Sequence, residues 1–397
     1  MSNAGYEQGG ETSGSAFPCN NCGAQLHYDA GVQALKCPYC GQQQPVPASV
    51  LAAGSREIPI EEGMRLAARG YGAPVTQIGC RECGAVVNVV PGEQTATCPF
   101  CRSHQVLARE APGTAIRPES VLPFRVDKGA AGQRFEDWLG SLWFRPNDLR
   151  KMAKLQDIAG VYVPFWTFDA RVDSSWTADA GYHYYVTETY TDQQGNRQTR
   201  QVQHTRWEPA SGRRADHFDD VIVCASKGLP PDLTDRLQTF NTRELAPYRP
   251  EYLAGWRAEA YAIDLPAAWH KGQGHMDAVQ RSRCSSDVPG DTHRNLSVNN
   301  SFSHVTFKHV LLPIWIAAYR YRDEPYQFLV NGQTGEIVGK APYSFWKIFF
   351  FVLFLVAVVG AIVLVTQRSK RGSSSSPDEV TPAAQEVPAR APSRGRR

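Results

Sequence analysis

The chain has almost no net charge to speak of: 42 Lys and Arg against 39 Asp and Glu leave +3 over 397 residues. No global field therefore marks it as a nucleic-acid binder or as a ligand of acidic surfaces. Its opening residues, MSNAGYEQGGETSGSAFP, have neither the basic nor the apolar region of a signal peptide. The sequence contains no G-x-S-x-G and no H-E-x-x-H. The nearest approach to a phosphate loop, GEIVGKA at 335–341, is one residue short and ends in Ala where a Mg²⁺-binding hydroxyl belongs, so it reads as a turn and linker. The histidines are scattered, and the pairs His270/His275 and His304/His309 read as surface or hydrogen-bonded side chains. Cys224 and Cys284 stand alone and read as small core residues, Cys284 the more exposed. No catalytic constellation emerges, and the expectation is that the chain is not an enzyme and has no small-molecule substrate.

The other eight of its ten cysteines are concentrated in the first 101 residues, in four Cys-x-x-Cys pairs. CNNCGAQLHYDAGVQALKCPYC from Cys19 and CRECGAVVNVVPGEQTATCPFC from Cys80 share the form C-x2-C-x14-C-x2-C, and their first cysteines lie 61 positions apart. Two sulfurs on a tight turn meet one ion, and the Gly after Cys22, Cys40 and Cys83 suits the positive φ of such a knuckle. Fourteen intervening residues allow a short β excursion that returns the second pair to face the first. The spacing predicts two structural Zn²⁺ ions, one held by Cys19, Cys22, Cys37 and Cys40, the other by Cys80, Cys83, Cys98 and Cys101. Four thiolates leave no open coordination position, which makes each site structural rather than catalytic. Each half is too small to bury a useful core, so the metal supplies much of its folding free energy, roughly 10–16 kcal/mol. A thioredoxin-type pair would need a βαβ context, and an iron–sulfur cluster other spacings.

The fold class expected is a multidomain α+β chain: two tandem zinc ribbons, a β-rich α+β domain and one C-terminal transmembrane helix. The expected boundaries are a disordered lead (1–16), ribbon 1 (17–47), a helical linker (48–78) with a helix over 58–72, ribbon 2 (79–110), an aromatic-rich domain (119–341), the span (345–366) and a disordered tail (367–397). Within the large domain, 121–126 reads as a strand and Asp127 as the cap of a helix whose apolar face is Phe135, Trp138, Leu139, Leu142 and Trp143. Three strands follow between 160 and 225, the last two joined at Gln194-Gly195-Asn196. Helices are expected at 230–241 and 265–283, and three more strands at 305–339. VYVPFWTFDARV (161–172) and LLPIWIAAYRY (311–321) share Pro-apolar-Trp, either a duplicated core unit or two similar buried strands. Basic and aromatic residues interleave in RQTRQVQHTRW (197–207), which suits either single-stranded nucleic acid or an ordinary hairpin.

From Ile348 to Val365 no residue is charged or strongly polar. As a helix this run is about 27 Å long, near the thickness of a bilayer core, with Tyr343, Phe345 and Trp346 at one end and Arg368, Lys370 and Arg371 at the other. The tail carries seven Arg or Lys and three Asp or Glu, which by the positive-inside rule would hold it in the cytoplasm. Eight thiols at metal spacing without an export signal argue the other way. The expectation is a single-pass cell-membrane protein with its N-terminal bulk cytoplasmic and its tail outside.

The tandem CPxC pairs, LPF, the Trp-rich helix ending WFRP, GVYVPFW, GYHYY and one late span resemble a family of bacterial zinc-ribbon, single-span membrane proteins over residues 17–366. Its members often carry primosomal replication factor or helicase labels, although this chain has no motor motifs. The resemblance carries over the eight cysteines as ligands. It also implies SPFH/band-7 or phage-shock protein A-like proteins as partners in envelope-stress assemblies, and hence a scaffold or adaptor role. A membrane-tethered nucleic-acid-binding protein is the alternative.

Overall fold

The computed structural model describes residues 17–46, 57–69, 76–88, 98, 100, 106–110, 116, 118–146, 158–191, 195–237, 239–321 and 324–372. The expected lead and the tail from 373 onward lie outside these residues. The chain divides into two units, one of Met1–Trp143 with Asn147–Ala341, the other of Phe144–Pro146 with Pro342–Arg397.

The first unit opens with an antiparallel sheet of β1 (His27–Asp29), β2 (Ala34–Lys36) and β3 (Gln43–Gln44). Asp29 shapes its hairpin, because one carboxylate oxygen accepts the Gly31 N–H at 2.8 Å and the other meets Lys36 at 3.3 Å. Next come β4 (Ile58–Pro59) and α1 (Ile60–Arg69), the helix expected at 58–72, and then β5 (Thr76–Cys80), β6 (Val86–Asn88) and β7 (Val106–Glu110). The strand expected at 121–126 is reduced to β8 (Ser120–Val121). Pro123 has no N–H to continue a ladder. The N–H groups of Leu122, Arg125 and Val126 reach the carbonyls of Leu311 and Gly332 instead. Asp127 caps α2 (Lys128–Ser141) as expected, accepting from Ala130 N–H at 2.8 Å. Phe135 and Leu139 are buried, but the helix stops at Ser141 and Trp143, beyond its end, is 79% exposed.

The centre of the unit is made by very long strands. β9 (Ala159–Thr191) has 33 residues and β10 (Arg197–Cys224) has 28. They form one hairpin through Gly195, whose φ is +84°. From Val161 to Ala170 every residue is buried, and from Arg171 to Ala180 exposed and buried residues alternate. A strand covered on both faces reads as a continuous run and one covered on a single face as an alternation. The change at Arg171 therefore marks where β9 leaves the double-sided core. After α3 (Pro231–Thr234), β11 (Ala246–Pro247) and β12 (Arg257–Glu259), the helix α4 (Leu265–Asp287) lies along the buried face of this ribbon. Its Gln280 donates to Asp216, and Arg214 reaches Asp287 at 2.7 Å. Cys284 is fully buried against Trp176 and Ala178, contrary to the exposure its polar neighbours suggest.

β13 (Thr292–Tyr321) pairs with the other edge of β9 from Gly181 down to Ala159. At its base it also takes β14 (Glu324–Asn331), which pairs in turn with β15 (Ile337–Gly339). The two Pro-apolar-Trp segments are thus antiparallel neighbours, with Leu312 opposite Val163 and Pro313 opposite Tyr162. Each Trp donates its ring N–H to a covering segment at 2.9 Å, Trp166 to Ile263 and Trp315 to Val126. The main sheet runs β11-β8-β13-β9-β12-β6-β5-β7, so the strands of the second cysteine module are continuous with it.

The second unit holds α5 (Phe345–Gly372). Its stretch Phe345–Leu364 is long and apolar enough to cross a membrane, with none of it buried inside the protein. Ser344 N–H donates to the Phe144 carbonyl at 2.7 Å and the Arg145 guanidinium lies 3.9 Å from the Tyr343 ring centre, which ties 144–146 to the start of this helix.

Candidate metal centres

In the first module the sulfurs of Cys19, Cys22, Cys37 and Cys40 all lie within 4.8 Å of one another, Cys19–Cys40 and Cys22–Cys37 at 3.5 Å. These separations are far longer than a disulfide bond of about 2.05 Å. They are close to the roughly 3.8 Å between two thiolates bound tetrahedrally at 2.3 Å from one ion. In the second module Cys80, Cys83 and Cys98 converge in the same way, Cys83–Cys98 at 3.7 Å. Cys101, the fourth expected ligand, lies outside the described residues.

The local backbone repeats itself at three knuckles. Cys19 N–H donates to Ala24, Cys37 to Gln42 and Cys80 to Ala85. The N–H groups of Gly23, Gly41 and Gly84 return to the carbonyls of Cys19, Cys37 and Cys80. The three glycines have φ of +74°, +75° and +73°, a conformation that would strain any side chain. The turn therefore folds by its own hydrogen bonds and aims both sulfurs of a pair to one side.

Electrostatics favour a cation in the first cluster. The Gln42 N–H draws the Cys40 thiol down to about 6. Cys22 accepts from Ala24 N–H, yet hydrogen bonding with Cys37 and Cys40 pushes it up to about 12. One thiolate forms easily at Cys40 while Cys22 resists, and a positive ion among the sulfurs would favour the thiolate at both. The donor set and spacing fit a closed, four-sulfur metal site.

The two modules differ in setting. Cys22 and Cys40 are exposed, and the first module packs on a small cluster of Leu26, Tyr28, Leu35 and Ala254. Cys80 and Cys98 are buried in the main core beside Phe100, Val163, Leu229 and Leu312. Glu259 sits there too, only 2% exposed, its Oε1 accepting the Ser226 hydroxyl at 2.8 Å. Nothing in the sequence pattern singles this glutamate out. Burial lifts its carboxyl to about 8 against an ordinary 4.5, with the Ser226 hydroxyl opposing and the neighbouring Cys98 adding to the rise. Between these values the folded chain holds a proton that the unfolded chain has released. Its contribution to stability is full below pH 4.5 and lost as pH rises through 8. Glu259→Gln should flatten that decline, by up to a few kcal/mol at about 1.4 kcal/mol per pH unit, when urea unfolding is compared at acidic and mildly alkaline pH.

Other candidates resolve into structure. Asp169, Asp219 and Asp220 bring carboxylate oxygens together. The buried Lys308 ammonium lies 2.7 Å from Asp220, 3.6 Å from Glu57 and 3.9 Å from Asp169, a built-in counter-ion. His309 is buried, its Nδ1 2.9 Å from the Ile116 carbonyl and its ring 4.8 Å from that of Trp166, whereas His304 is exposed at a bulge of β13. His270 and His275 lie on α4. GEIVGKA runs from the turn at Gly335 through β15 and forms no phosphate-binding loop. Cys224 is partly buried and packs against the core, its thiol pushed up to about 12 by burial.

Among known proteins, YdjG of Bacillus subtilis (strain 168), described as uncharacterized, is 29% identical over 340 residues, spanning 84% of this chain and 92% of that one. No family model matches the chain, and no solved structure matches it.

Proposed function

We propose that this chain is a membrane-anchored zinc protein acting as a non-enzymatic scaffold, its two cysteine modules being tandem zinc ribbons and Phe345–Leu364 its anchor. The observation that carries this reading is the first cluster: four sulfurs facing one another leave a bound ion no vacant position for substrate. The acidic cluster found among the described residues, Asp169, Asp219 and Asp220, holds the Lys308 ammonium as its own counter-ion, which also favours a binding role over catalysis. Partners are taken to be proteins at the cytoplasmic face of the membrane, of the SPFH/band-7 or phage-shock protein A-like class that the family resemblance implies. Protein purified from solubilised membranes should contain two equivalents of zinc and carry a stable protein partner. A chain ending at residue 344 should leave the membrane fraction. Recovery of no partner under mild solubilisation would count against the scaffold, and well under two equivalents of zinc against the ribbons.

A nucleic-acid role draws support from the ribbon tip, where Arg200 lies 5.6 Å from the Tyr190 ring, Arg206 lies 5.8 Å from that of Tyr182, and His204 stacks on Tyr184. Both arginines, however, are paired at 3.0 Å, with Glu188 and Glu208. Little charge is left there for phosphates, which makes this the weaker reading. Steeply salt-dependent binding of single-stranded DNA or RNA would reverse that order.

A further inference from the structure

Both cysteine modules are held by one short stretch of chain. On its first side, the Tyr28 N–H donates to the Ala254 carbonyl at 2.9 Å and the Trp256 ring N–H donates to the Tyr28 carbonyl at 2.8 Å. The rings of Tyr28 and Tyr252 meet edge to face at 5.4 Å. Gly255 approaches His27 so closely that a Cβ there would lie 2.6 Å from its ring. Two residues beyond Trp256 the same stretch changes partner. Ala258 pairs with Asn88 and Glu259 with Val87, and the Ala260 N–H donates to Val86 at 2.8 Å.

The contacts fall at equivalent places in the two modules. β1 lies between Cys22 and Cys37, and β6 lies between Cys83 and Cys98. In each, the strand gripped by residues 252–260 belongs to the loop that a metal would close by joining the two cysteine pairs. A loop closed by metal holds its strand in place, and an open one frees it to leave the shared stretch.

We propose that residues 252–260 couple the two cysteine clusters, so that metal bound in one raises the affinity of the other. The exposed first module is then the point at which chelators or oxidants gain access, and loss of metal there loosens the buried second site. Coupling between binding sites is reciprocal, and values of at least about fivefold in affinity are typical. The inference rests on the clusters binding metal, and the test separates the two ideas.

The test uses the full chain in detergent micelles, titrated with Co²⁺ and then displaced with Zn²⁺, with thiolate-to-cobalt charge-transfer absorbance as the readout. Cys22→Ser/Cys40→Ser removes the first site through exposed side chains, leaving the main core untouched. The remaining site should then bind Co²⁺ at least about fivefold more weakly than in the wild type. Trp256→Phe, which removes the ring N–H given to Tyr28 but keeps a ring against Phe124, should, when added to chains with and without the first site, abolish the difference between them. Tyr252→Leu, a milder change, should reduce it. An affinity at the second site unchanged within about twofold on loss of the first, or a difference that persists undiminished in both linker variants, would overturn the coupling alone. Absence of any charge-transfer band in the wild type would overturn both the coupling and the metal reading.

Discussion

Serine in place of Cys98 is expected to unfold far more of the chain than serine in place of Cys37. A four-thiolate site contributes roughly 10–16 kcal/mol to the fold that contains it, as much as the whole net stability of a typical domain, about 5–15 kcal/mol. What the loss destroys depends on what is packed around it. Cys98 is 2% exposed within the core that includes Val161, Phe165 and Ile314, and its module joins the main sheet through β6 and β12. Cys37 is equally buried, at 1%, but in a small cluster of its own. Cys37→Ser should therefore open residues 17–46 to protease while β9, β10, β13 and α4 stay folded. Cys98→Ser should lower the cooperative unfolding transition of the entire first unit. Limited proteolysis read by mass spectrometry, beside far-ultraviolet circular dichroism on heating, distinguishes the two. Identical resistant fragments from both variants would contradict this account.

Trp166→Ala should cost about 3–5 kcal/mol, the next largest effect. The side chain is wholly buried, in ring contact with Tyr261, Phe307 and His309, and its N–H is given to the Ile263 carbonyl. Truncation leaves both a cavity and a carbonyl without its donor. Trp166→Phe separates these, since it restores most of the volume and should recover more than half of the loss, the remainder being close to 1 kcal/mol for the hydrogen bond. Denaturant unfolding of the three proteins gives the comparison. Equal loss in the Phe and Ala variants would show that the hydrogen bond, and not the packing, holds the α4 approach in place.

The cysteine modules were the most legible part of the chain because their chemistry is local. Pair spacing and the glycines after Cys22, Cys40 and Cys83 dictate the turn before any tertiary contact forms. The cap at Asp127 and the helix over Leu265–Asp287 were legible for the same reason. The long strands were not. The polar run DSSWTADAG reads as a break between two strands, yet Trp176, Ala178 and Ala180 keep to one face and carry β9 through it. Only α4, far along the sequence, supplies the cover that makes this alternation a strand. Likewise, 230–241 reads as a helix but yields a single turn, Pro231–Thr234; the Leu237 N–H still reaches back to the Leu233 and Thr234 carbonyls, and Leu237 and Phe240 serve the core. Glu259 and Trp256 could not be foreseen at all, since their importance arises where three distant segments meet.

The hairpin of β9 and β10 stays paired from Phe165 and Cys224 out to Thr191 and Arg197. At about 3.3 Å per residue its turn stands some 85 Å from where the hairpin begins, several times the width of an ordinary small domain. Tyr184, Tyr185 and Tyr190 near that turn are exposed, whereas Cys80 and Cys98 pack beside Val163 at the opposite end, so a substitution at the tip reaches solvent without touching the packing around those cysteines.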